Sequence, residues 1–159
     1  MPPRANQFDP YGTFKFCVRI DNAIVAGVSK VSALGRSVAP NEVKQGGDML
    51  APRQNPGAVT YDEVTLEQGW SADTTFEKWA NAVTRLQIDP GVKHFKRTVY
   101  IDVFDPKGNP RGGSPPLASY KLHRCWVSKY VAVPALDADS GGVGIRTITL
   151  KHEGWERVI

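Results

Sequence analysis

The side chains able to act as nucleophiles, proton carriers or soft metal ligands are few: Cys17, Cys125, His94, His123 and His152. His123 and Cys125 lie two residues apart, which on a regular strand puts both on one face, where an imidazole could take the proton of a thiol. No motif supports that pair. The three histidines are scattered, with no H-x-x-x-H or similar metal spacing. Ser140-Gly141-Gly142-Val143-Gly144 lacks the Lys and Ser/Thr of a phosphate loop and leads into a strand, so it reads as a turn. Asp137 and Asp139 lack the further carboxylates of a calcium loop and read as solvated turn acids. The run Lys93-His94-Phe95-Lys96-Arg97 could hold a nucleic-acid backbone while Phe95 stacks on a base. Elsewhere the 20 basic and 16 acidic residues are interleaved, and the net charge of +4 permits contact with a polyanion without demanding it. These residues predict no enzyme, no cofactor and no bound metal.

The elements that carry them fit in one unit. A chain of 159 residues suits a single domain over 1–159. Hydrophobic residues at 41% and charged residues at 23% are globular proportions, and 15 Gly with 12 Pro favour a turn-rich fold over a helical bundle. The longest apolar stretch, Tyr130 to Leu136, is broken by Pro134 and falls far short of the ~20 residues of a spanning helix, so no membrane insertion is expected. Met1 to Gly12 shows no apolar core of a secretory signal and reads as an N-terminal arm over 1–12. Two cysteines without paired spacing read as free thiols in a reducing compartment.

Alternation marks the strands. Phe14, Phe16, Val18 and Ile20 share one parity, Asp21-Asn22 supplies a turn, and Ile24-Val25 restart an extended segment. Arg36 to Lys44 reads as a strand interrupted or edged by Pro40. Gln45 to Gly57 reads as a long exposed loop or a protruding hairpin, the sort of segment that carries partner contacts. Val59 to Leu66 reads as a strand with Val64 and Leu66 on one face. Thr74-x-x-Glu77 fits a capping box, with Asp73 an alternative cap, and Phe76, Trp79, Ala80, Val83 and Leu86 form one apolar stripe that predicts a helix docked on a sheet. Val99, Ile101 and Val103 alternate with Tyr100, Asp102 and Phe104. Leu117 to Val133 reads as a very long strand with Tyr120, Leu122, Trp126 and Tyr130 on one parity and a bulge or kink near Arg124 or Ser128. Val143 to about His152 is a final strand. About seven strands and one helix predict a mainly β, small antiparallel barrel or sandwich with one flanking α-helix.

Several segments resemble the tail-tube proteins of contractile phages and the inner-tube proteins of phage-like contractile injection systems, relatives of the type VI secretion tube protein. Phe14-Lys15-Phe16-Cys17-Val18-Arg19-Ile20-Asp21 resembles that family's opening strand. Val28-Ser29-Lys30-Val31-Ser32-Ala33-Leu34 resembles its F-S-E-V-S-G-L segment, with Lys30 and Ala33 differing. Gly46-Gly47-Asp48 through Pro52-Arg53-Gln54-Asn55-Pro56-Gly57 resembles a G-G-x-x-x-x-x-R-K-L-P-G loop, and Val64-Thr65-Leu66-Glu67-Gln68-Gly69 a V-T-L-K-R-G strand end. Thr149 to Val158, containing His152-Glu153-Gly154-Trp155-Glu156-Arg157, resembles an L-x-H-E-G-L-E-R-V ending and is the most specific piece.

The resemblance implies a structural subunit that forms stacked hexameric rings, a tube whose hollow lumen passes cargo or DNA when a surrounding sheath contracts. It implies as partners other copies of the chain, a contractile sheath protein, and baseplate and spike proteins. It implies assembly in the cytoplasm into a virion or a phage tail-like particle, with extracellular release as one outcome. By the same analogy, residues 45–58 form an extended inter-subunit loop, with Asp48, Arg53, Pro56 and Gly57 at a subunit or inter-ring interface and intersubunit ion pairs at Asp48 and Arg53. Glu153 and Trp155 are further interface candidates, Trp155 because a large aromatic gains most when buried. The competing expectation is a β-barrel that binds single-stranded nucleic acid through the basic run.

Overall fold

Asp21 and Asn22 both adopt left-handed backbone, with φ of 48° and 71°, a conformation that Asp and Asn tolerate better than most residues and that two-residue hairpins require. They reverse the chain between β1 (Lys15–Ile20) and β2 (Ala23–Val25). The structure, a computed structural model, describes residues 15–25, 27–43, 46, 53–69, 73–86, 88, 95–110, 112–139 and 144–159. The expected arm over 1–12, Asp48, and Lys93-His94 of the basic run lie outside the described residues.

Eight further strands and one helix follow: β3 (Val28–Val31), β4 (Arg36–Val43), β5 (Arg53–Tyr61), β6 (Val64–Gly69), α1 (Thr75–Leu86), β7 (Arg97–Phe104), β8 (Ala118–Val131), β9 (Ile145–Lys151) and β10 (Trp155–Arg157). The main sheet runs β2-β1-β7-β8-β9-β6-β3, antiparallel at every step, with β10 pairing β8 beside β9. This is the expected mainly β fold with one helix. Its two ends, β2 and β3, do not pair with one another among the described residues, so the sheet curls around the core without closing into a hydrogen-bonded barrel.

Inward positions of the main-sheet strands meet in one core. Val18, Ile20, Val64, Leu66, Val99, Ile101, Leu122, Ile148 and Leu150 are buried there with Phe76, Trp79 and Ala80 of α1. The helix stripe docks as its spacing requires, and the Trp79 indole donates to the Phe95 carbonyl at 2.7 Å, tying the helix to the chain entering β7. The helix start is held by Asp73, whose Oδ1 accepts from the Thr75 amide at 2.9 Å and the Thr75 hydroxyl at 2.6 Å.

Two expectations change and one alternative is decided. The Val59 to Leu66 segment is two strands, β5 and β6, broken at Asp62-Glu63. Of the loop and the protruding hairpin expected over residues 45–57, residues 53–57 follow the hairpin and not the loop: β5 pairs with β4 as a ribbon apart from the main sheet. Pro40 and Pro56 sit opposite each other in it, which a two-stranded ribbon tolerates because each strand keeps an outer edge that needs no donor. The long strand β8 is not of one parity. Its register shifts opposite Arg97/Val99 and again between Val127 and Lys129, and Arg124 adopts φ 50°. The extra residue turns the face over, so Cys125 and Val127 join the core after Leu122 while Trp126 does not.

Candidate assembly surface

That bulge separates the one conceivable nucleophilic pair. Cys125 is fully buried in the core, whereas His123 is partly exposed and lies 3.3 Å from the Glu156 carboxylate. The spacing of two residues put both on one face only while the strand was regular. Burial pushes the Cys125 thiol up to about 12, too high for a thiolate near neutrality. Cys17 is also pushed up, to about 11, by burial first and then by the neighbouring Asp102 charge. Among the described residues no three His, Cys, Asp or Glu side chains gather as a metal site, and no helix is long and apolar enough to cross a membrane. The Asp137 carboxylate accepts from the Asp139 amide at 2.9 Å, as a turn acid does.

The described part of the basic run is spent inside the chain. Lys96 pairs with Glu153 at 3.0 Å, and Arg97 stands 3.9 Å from Asp21. These pairs compete with any phosphate for the same cations.

What remains is an exposed two-stranded surface. All eight residues of β4 are exposed, and so is most of β5. Val38 and Val59 face each other across the ribbon yet are 44% and 52% exposed. A cross-strand pair of β-branched residues is a normal stabilising unit of a sheet, and here about half of it is left open to solvent. Arg53 begins β5 opposite Val43 and is exposed. Pro56 and Gly57 follow on the same strand. Gly57 answers to a close approach: a Cβ there would stand 2.6 Å from the Ala39 carbonyl oxygen, where the β4–β5 register shifts. The ribbon therefore brings Arg53, Pro56 and Gly57 onto one projecting element.

Glu153 and Trp155 lie elsewhere: Trp155 at the foot of the ribbon, and Glu153 two residues before it, on the body of the subunit. Glu153 bridges Lys96 at 3.0 Å and Arg124 at 3.2 Å. The hydrogen bond from Lys96 holds its carboxyl below the usual range, with the Arg124 and Lys96 charges adding to it against a smaller cost of desolvation. Trp155 is half-buried, with its indole N–H 3.4 Å from the Gly35 carbonyl oxygen and the Arg36 guanidinium 5.5 Å from its ring centre. It also walls an apolar cleft of about 380 Å³ together with Phe16, Val31, Leu34 and Tyr120.

Sequence reasoning passed over a second cluster, on the other face of β1 and β7. Asp102 is buried and accepts from Arg19 Nε at 2.6 Å, Arg19 Nη2 at 3.2 Å and the Ser119 hydroxyl. Arg19 in turn lies 4.5 Å from the centre of the Tyr100 ring. Burial raises the Asp102 carboxyl, but the bonds from Arg19 and Ser119 outweigh it and hold it below the ordinary carboxylate range. The cluster joins three strands and is structural.

No curated protein sequence matches the chain. Among solved structures, the chain is similar to one from the PVC sheath-tube complex of an extracellular contractile injection system in its extended state, at 19% identity and TM-score 0.74, covering 93% of this chain and 90% of that one. It is similar to a chain of the anti-feeding prophage baseplate, symmetrised six-fold, at 18% identity and TM-score 0.71, covering 94% and 96%. A type six secretion system protein is a more distant likeness, at 13% identity and TM-score 0.53, covering 91% and 83%. At these identities the likeness establishes the fold. The family follows from sequence: residues 12–156 match the family described as T4-like virus tail tube protein gp19. The chain belongs to that family and is a structural tail tube subunit.

Proposed function

We propose that this subunit closes into hexameric rings that stack as a hollow tube, with the β4–β5 ribbon reaching a neighbouring subunit or ring. The observation that carries the reading is the ribbon itself: an eight-residue strand exposed along its length, paired to a strand bearing Arg53, with the apolar Val38–Val59 pair open to solvent. Exposed strands invite pairing with another chain. A contact between two different patches generates a ring when the rotation closes.

The solved relatives supply the wider setting. One was seen in a sheath-tube complex and another in a six-fold symmetrised baseplate. By analogy this subunit has sheath, baseplate and spike proteins as partners, assembles in the cytoplasm, and passes cargo or DNA through its lumen when the sheath contracts. Its place is then in a phage tail or an extracellular injection particle. By the same analogy Asp48 and Arg53 make intersubunit ion pairs, with Pro56 and Gly57 of β5 shaping the contact. Trp155 supports it from the foot and Glu153 from the body of the subunit.

Negative-stain electron microscopy of the purified full chain, concentrated alone and co-expressed with its native neighbours, tests this. Rings or hollow tubes are the expected result. Uniform small monomers under both conditions would refute it.

A further inference from the structure

The foot of the β4–β5 ribbon is gripped at both of its strands by one short segment of the C-terminal motif. On the β4 side, the Trp155 indole N–H reaches the Gly35 carbonyl at 3.4 Å and the Arg36 guanidinium sits 5.5 Å from the Trp155 ring centre. On the β5 side, Tyr61 meets Trp155 edge-on with ring centres 6.5 Å apart and leans on His152 at 5.9 Å. His152 Nδ1 accepts from the Gly154 amide at 3.2 Å, which places its proton on Nε2, and Nε2–H donates to the Asp62 carbonyl at 2.8 Å. The Asp62 amide closes the foot by donating to the Gly35 carbonyl at 3.0 Å.

Gly154 makes the grip geometrically feasible. Its φ of 141° is a conformation L side chains rarely adopt, and a Cβ there would press to 3.3 Å from the Tyr61 ring. The segment turns there so that His152 and Trp155 approach Tyr61 from two directions. Tyr120 backs Trp155 edge-on at 6.0 Å.

We infer that His152 and Trp155 are positioning residues for assembly: together they clamp the ribbon at the angle in which it can engage the next subunit. This rests on the reading of the ribbon as the intersubunit contact and adds what aims it. All eight residues of β4 are exposed, so among the described residues no layer packs along it to fix its direction. Trp155 stands at an open apolar cleft rather than in the fully buried core. The clamp can therefore be released without dismantling the sheet. A ribbon that samples many directions is competent for only a fraction of the time, and its apparent affinity falls by that fraction.

The test uses the full chain carrying Cys17→Ser, with spin labels on Val43→Cys in the ribbon and Arg85→Cys on the helix. Label-to-label distances are measured in the isolated subunit, and tube yield is counted by electron microscopy. Trp155→Ala and His152→Ala are expected to broaden the distance distribution and to lower tube yield by about tenfold, the scale of a tenfold loss of competent population. Trp155→Phe keeps the ring and is expected to restore most of both. Should either alanine variant fail to fold, Arg36→Ala removes the cation from the exposed side and is expected to shift both readouts the same way. An unchanged narrow distribution in these variants overturns the clamp. A broadened distribution with tubes at wild-type yield overturns its role in assembly. Failure of the ribbon contact itself would register differently, as intact tubes from Arg53→Glu, whereas the distance measurement needs no assembly.

Discussion

Arg19 and Asp102 meet diagonally across the β1–β7 pairing, with Nε 2.6 Å from Oδ2, and Ser119 of β8 completes the carboxylate's shell. Three neighbouring strands thus converge on one buried charge. A carboxylate this deep is tolerable only because it is paired and hydrogen-bonded. Removing the charge leaves Arg19 without its partner, but Arg19 is partly open to solvent, which softens the loss.

Asp102→Asn is therefore expected to destabilise the fold by about 2 kcal/mol, below the figure for a fully buried pair. The pH dependence follows from the direction of the shift. The folded carboxyl lies below its ordinary value, so its stabilisation is complete above the unfolded value of about 4 and fades as pH drops through the folded value. Thermal unfolding from neutrality down to about pH 2, which crosses the ordinary carboxylate value of about 4, checks this. The gap between wild type and Asp102→Asn should be full near neutrality and shrink in acid. A gap that is constant across the range would mean that Asp102 contributes nothing through its charge.

Both thiols should be nearly silent in the native subunit. Burial raises Cys125 to about 12, and burial with the Asp102 charge raises Cys17 to about 11, so the thiolate that reacts is scarce at neutral pH. A maleimide or disulfide reagent at pH 7.5 should modify Cys17 slowly and Cys125 only after unfolding, with both reacting at once in denaturant. Rapid native labelling of Cys125 would contradict its burial.

The sequence made some of this plain and hid the rest for physical reasons. Val64 and Leu66 show their alternation directly, and the Phe76, Trp79, Ala80 stripe shows its helix, because both patterns repeat within a few residues. The bulge at Arg124 could be placed but not its consequence, since parity alone does not say which side gains the extra residue. That is why Cys125 and Trp126 exchanged faces against expectation. Asp102 reads as an outward position next to Ile101, and only the register with β1 and β8 reveals Arg19 and Ser119 beside it. Trp155 reads as an interface candidate from its size alone. Its partner Gly35 lies 120 residues away, a contact that no local pattern encodes.

Gly57→Ala should injure the ribbon and spare the core. The new Cβ would stand 2.6 Å from the Ala39 carbonyl oxygen, so the register at the β4–β5 shift must give way. Overpacking of this kind costs about 1–3 kcal/mol, but here the cost falls on an element apart from the main sheet. Hydrogen exchange should rise across β4 and β5 while β7 and β8 keep their protection, and tube yield should fall. Protection in the ribbon equal to wild type would show that the close approach is absorbed elsewhere.

Arg53 and Glu153 should part company under charge change, although both carry the expectation of an interface. Glu153 bridges Lys96 and Arg124 on the body of the subunit, and such exposed pairs contribute little to folding. Glu153→Gln is expected to leave stability nearly unchanged and to reduce assembly only slightly, through loss of the bridge beside the ribbon's foot. Arg53 stands on the projecting strand, where reversal of its charge places like beside like at the proposed contact. Arg53→Glu should fold normally and lose most of its tubes, with the deficit growing as ionic strength is lowered and shrinking as added salt screens the repulsion. Tube yield of both variants, measured across salt concentrations with circular dichroism as the folding control, decides between them. Equal losses would move the charged contact to the body of the subunit, and intact tubes from Arg53→Glu would remove Arg53 from the interface.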